Sequence, residues 1–170
     1  PLLAHHFQQG GDDRRALHYY TIAAENAARL YASEEAVNHY SKALEISGRR
    51  ASDDSSTAQL HHGRGLIFEV LGDFDGARSD LETALEIARR AGDEMLEWRI
   101  LLDLGNLWTS RDYNEAGDYY EKALEMARAF DDLEILARSL NRMGNWNANA
   151  EHPQQAITFH REALEIIEQL

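Results

Sequence analysis

Three asparagines, Asn141, Asn145 and Asn149, stand four residues apart in the stretch NRMGNWNAN. On a helix, residues four apart share a face and drift only about 40° per step, so the three form a stripe of amides. Each amide carries two N–H donors and a carbonyl acceptor, the complement of a peptide backbone. Arg142 lies in the same stretch and Arg138 three residues before it, and a guanidinium can grip a carboxylate through two parallel bonds. The chemistry on offer is recognition. Asparagine is a mediocre helix former that prefers caps and turns, so four of them in a helical setting need a reason.

Other residue types point to no reaction. The pairs His5–His6 and His61–His62 put adjacent side chains about 100° apart on a helix, which does not chelate a metal from one face. The segment HHGRGLIF (61–68) lacks the Lys-Ser/Thr ending of a phosphate-binding loop, and the sequence holds no G-x-S-x-G, no H-E-x-x-H and no cysteine. Its carboxylates are spread as a solvated face, not paired for acid–base work. The reading is a non-enzyme with no catalytic residue, metal or cofactor.

Composition narrows the partners. A net charge of −13 over 170 residues argues against nucleic acid, whose phosphates reward a basic surface, and against anionic membranes. No apolar run approaches the roughly 18 residues of a membrane span, and no signal peptide opens the chain. The lack of cysteine fits a reducing cytoplasm. The chain begins with Pro1, which reads as a piece of a longer protein.

The elements that would position the amides follow from a repeat. The segments EAVNHYSKALEIS (35–47), GARSDLETALEIA (76–88), EAGDYYEKALEMA (115–127) and QAITFHREALEII (155–167) align on Ala36, Ala77, Ala116 and Ala156, spaced 41, 39 and 40 residues. A second alanine follows seven later in each, and Gly65, Gly105 and Gly144 recur upstream. A period near 40 built from two helical patterns predicts an all-α solenoid of antiparallel helix pairs, about four repeats forming a single domain over residues 1–170. Helices are expected at roughly 1–9, 13–32, 34–47, 57–71, 74–91, 94–110, 113–130, 132–149 and 153–169. Asp112 with Glu115 and Asp131 with Glu134 have capping-box spacing, Gly92 before Asp93 reads as a helix stop and restart, and Pro153 suits a first helical position. The polar linker GRRASDDSS (48–56) is the candidate elbow.

The repeat resembles the tetratricopeptide repeat (TPR), through Leu101, Leu104, Gly105 and Trp108 of LLDLGNLW and through Gly72, Asp73, Phe74 and Ala77 of GDFDGA. The resemblance covers essentially the whole chain and implies a right-handed solenoid. Residues 3–45, with LAHHF, Gly11-Asp12, Tyr19–Tyr20, AAENAARLYA and the EAV-HY-KALE pattern, also resemble the segment that follows the ATPase module in bacterial STAND-type signalling ATPases and related cyclase-linked regulators. In that family the segment opens a sensor and interaction arm.

The TPR resemblance implies that the first helix of each pair lines a groove and that the residue after the glycine faces into it. The groove set is then Arg99, Asn106, Arg138, Asn141, Arg142, Asn145 and Asn149, binding a protein or peptide segment. Tyr20, Tyr40 and Tyr120 take the aromatic core position, and Trp108 a core place, but Asn147 stands where the last repeat should carry an aromatic. The apolar side of the last helix, Ala156, Phe159, Ala163, Ile166, Ile167 and Leu170, is expected to support self-association as a homodimer. The function implied is an interaction arm of a larger bacterial signalling protein. The alternative is a structural spacer or oligomerisation module for an attached ATPase or cyclase domain.

Overall fold

The computed structural model describes residues 2–49 and 54–168. Among these the chain is all-helical: α1 (Leu2–Gln9), α2 (Asp13–Arg29), α3 (Ser33–Arg49), α4 (Asp54–Leu71), α5 (Phe74–Ala91), α6 (Glu94–Trp108), α7 (Tyr113–Ala129), α8 (Leu133–Asn149) and α9 (Pro153–Ile167). Consecutive helices such as α2 and α3, α4 and α5, and α8 and α9 pack on one another across short turns, the antiparallel arrangement of a helical hairpin. Of the expected elbow, Gly48 and Arg49 complete α3 and residues 54–56 begin α4; residues 50–53 lie outside the described residues.

Local chemistry accounts for the boundaries. Asp112 caps α7 by accepting from the N–H groups of Asn114 at 3.0 Å and Glu115 at 3.2 Å. The cap of α8 is Asp132, not Asp131: its carboxylate accepts from Ile135 N–H at 3.1 Å, because the backbone turns extended one residue later than the capping-box spacing anticipates. Gly92, with φ of 69°, ends α5 in the left-handed conformation that glycine adopts without penalty. Asp93 then accepts from Leu96 N–H. Pro153 opens α9.

The chain divides into two compact units, Pro1–Leu96 and Glu97–Leu170. In the first unit Ala36, Ala43, Ala77 and Ala84 are fully buried, and their small side chains let helix axes approach. Tyr20, Tyr40 and Ile46 fill the core beside them. A polar cluster ties three helices together. Asp80, 5% exposed, accepts from Arg64 Nε at 2.6 Å and Nη2 at 2.8 Å and pairs with His61 Nδ1 at 2.8 Å. Arg64 also donates to Ser41 Oγ at 2.9 Å. Burial alone pushes the Asp80 carboxyl up, but the bonds and charges of Arg64 and His61 outweigh it and hold it below the ordinary aspartate value.

In the second unit Ile100, Leu104 and Leu140 are sealed from solvent, each contributing about 1.5–3 kcal/mol by burial. Trp98 is buried with its Nε1–H donating to Ser139 Oγ at 2.9 Å. The repeating glycines have one use. A Cβ on Gly105 would stand 2.5 Å from Tyr120 Cε1, and one on Gly144 would stand 2.6 Å from His160 Cε1. In the first unit a Cβ on Gly65 would meet Leu81 at 3.0 Å. The residue four after the repeat's first alanine therefore sits on the glycine of its partner helix.

The last helix departs from expectation. Ala156 and Ala163 are buried, since they form the close crossing, and Phe159 and Ile166 are half-buried. The apolar row left open is Ile157, Leu164 and Ile167. Of the anticipated self-association set only Ile167 belongs to it, and Leu170 lies outside the described residues.

Candidate functional site: an amide and arginine groove

In the second unit α6, α7 and α8 enclose a cavity of about 170 Å³. Asn106 comes from α6, and Arg142, Asn145 and Asn149 from α8; Thr109, Tyr113, Tyr120 and Trp146 complete the lining. Four of the seven groove residues read from the sequence thus meet at one place. Arg99, Arg138 and Asn141 are exposed but do not line it. Arg138 is held with its guanidinium 5.6 Å from the Trp98 ring centroid, a cation–π contact that fixes its stem.

The floor is aromatic and the rim polar. Tyr120 is 5% exposed, with its hydroxyl 3.4 Å from Thr109 Oγ1. Burial is the main reason its phenol is held above the ordinary value, against the opposing influence of Thr109 and Arg142. Arg142 has no carboxylate partner among the described residues, so its charge is available to a ligand. Asn145 and Asn149 are likewise exposed on the same face.

Trp146 explains the irregular last repeat. Its ring lies over Gly117, where a Cβ would stand 2.4 Å from Cζ2. It stacks on Tyr113 with centroids 5.9 Å apart and planes 13° apart, and its Nε1–H donates to Tyr113 O at 2.8 Å. Asn147, in the slot that Trp108 holds one repeat earlier, turns inward and donates Nδ2–H to Met143 O at 2.9 Å. The aromatic has moved one residue back. Sequence reading misses Tyr113, Thr109 and Trp146 as groove residues; the only signal was a glycine, Gly117, where the aligned segments carry Val37, Arg78 and Ile157.

The first unit has a cavity of its own, about 290 Å³, lined by Arg14, His18, Thr21, Glu25, Tyr40 and Gln59 among others. No sequence motif marked it. Its lining mixes charges of both signs.

Residues 105–169 match a family model described as tetratricopeptide repeat, and residues 58–90 match a second model of that description. These stretches are tetratricopeptide repeats. Such repeats form a protein-interaction scaffold. No curated protein matches the sequence. Among solved structures, BtubC (BKLC) from P. vanneervenii is 23% identical with a TM-score of 0.86, over 93% of this chain and 65% of that one. Aspartyl phosphate phosphatase F from Bacillus subtilis is 15% identical with a TM-score of 0.84, over 93% of this chain and 44% of that one. MamA is 15% identical with a TM-score of 0.67, over 98% and 95%. At these identities the likeness is one of fold, a TPR-like helical solenoid. The chain spans less than two thirds of the first two. Among the described residues no helix is long and apolar enough to cross a membrane.

Proposed function

We propose that the groove of the second unit binds an extended segment of a protein partner, and that the chain serves as the interaction arm of a larger signalling protein. The observation that carries the reading is the convergence of Asn106, Arg142, Asn145 and Asn149 on one cavity. Amides from two helices can pair with both the N–H and C=O groups of an extended backbone, and Arg142 can take a carboxylate. The resemblance of residues 3–45 to the arm of STAND-type ATPases supports the signalling context.

The test is binding of a peptide library by the intact chain, with melts of the same variants. Asn145→Ala removes amide bonds worth about 0.5–1.5 kcal/mol each, and Arg142→Ala a charge-assisted bond worth about 1.5–3 kcal/mol. Alanine is the better helix former, so Asn145→Ala is expected to stabilise the free chain by up to ~0.7 kcal/mol while weakening binding. Wild-type binding by both variants would sink the groove reading and leave the spacer role, which the open row Ile157, Leu164 and Ile167 favours.

A further inference from the structure

A second cavity of about 430 Å³ lies on the other side of Trp146, between α7 and α9 with α8 as its floor. Its polarity is opposite to that of the groove. Asp118 and Glu121 line it from α7, three residues apart and therefore on one helical face. Neither carboxylate has an ion-pair partner among the described residues. Its lining holds no lysine or arginine but includes His152, and Trp146 and Phe159 supply aromatic rings.

An independent observation lies at its base. Asn147 is 4% exposed and lines the cavity. The bond from Nδ2 to Met143 O fixes the amide's orientation, because the flipped form would set two acceptors face to face. Its Oδ1 then receives no hydrogen bond from any described residue, yet it is not sealed in protein. An amide oxygen open to a cavity and without a protein partner offers it an acceptor for a ligand's donor.

We infer that this cavity is a docking site for an arginine side chain of a partner protein. Two carboxylates and an amide oxygen supply acceptors, while the aromatic rings supply a surface for the face of a cation. A guanidinium answers all of these at once, since its planar fork carries five donors and stacks on aromatic rings. An ammonium brings three donors and no flat face. The site is separate from the peptide groove in its lining charges, and Trp146 is the wall they share.

The experiment uses the full chain and a capped pentapeptide, Gly-Gly-Arg-Gly-Gly, followed through the indole N–H resonance of Trp146. The neutral control replaces arginine with citrulline, which keeps the shape and loses the charge. A saturable shift is expected with the arginine peptide and none with citrulline at equal concentration. In the double variant Asp118→Asn, Glu121→Gln, nearly isosteric and on an exposed face, affinity is expected to fall on the order of tenfold. Equal response to citrulline, unchanged affinity in the double variant, or no shift with the arginine peptide would each overturn the assignment. Displacement of the peptide by spermidine below the peptide's own midpoint would overturn a protein side chain as the occupant.

Discussion

Asp80 shows at the scale of one residue how a charge is kept inside a helical stack. Its carboxylate is nearly sealed and meets Arg64 and His61, so its worth is conditional on those partners. Asp80→Ala would leave Arg64 beneath the surface without its anion, at a cost of about 3–5 kcal/mol, towards the lower end because the guanidinium is partly exposed. The pH dependence follows from the sign of the shift. A carboxyl held below its unfolded value contributes stability that is complete above the ordinary aspartate range, near pH 4, and is lost as pH falls through the lower folded value. The stability gap between wild type and Asp80→Ala, measured by urea unfolding, is therefore expected to be constant at neutral pH and to close below about pH 4. A gap that persists into strong acid would mean that Asp80 is not the anion of the cluster.

At the scale of elements, the glycines decide how closely paired helices lie. Gly105 makes room for the Tyr120 ring, which also floors the groove, so packing and site geometry share one contact. Gly105→Ala is expected to cost about 1–3 kcal/mol, since the ring would have to leave its place. Gly48, also within a helix, would bring a Cβ within 4 Å of nothing among the described residues. There alanine is expected to stabilise by up to about 1 kcal/mol through propensity alone. Thermal melts of the two variants should move in opposite directions; parallel shifts would place the close approach elsewhere.

Within each unit successive helices pack on their neighbours, and the stability of a solenoid is a sum of local and nearest-neighbour interactions. Ala116 is fully buried in the second unit. Ala116→Leu should overpack its crossing at a cost of about 1–3 kcal/mol. Amide hydrogen exchange is expected to accelerate most from Glu97 onward and least near α1 and α2. Uniform acceleration over the chain would show a single cooperative block instead.

The repeat and all nine described helices were legible in the sequence because they rest on local rules, and four lining residues of the groove followed from the resemblance to tetratricopeptide repeats. A period near 40, alanines seven apart and glycines in register are constraints that neighbouring residues impose on one another along the chain. The cap of α8 is Asp132 rather than Asp131, since the two are equally good caps and only the backbone's turn selects between them. What tertiary structure decided was which faces close. Ala156 and Ala163 went inside and left Ile157 and Leu164 out, because a crossing angle rather than hydropathy chooses the buried row. The slot beside Gly117 took Trp146, and that turned Asn147 inward with an acceptor unused. Such outcomes depend on where three helices meet, which no spacing within one helix contains.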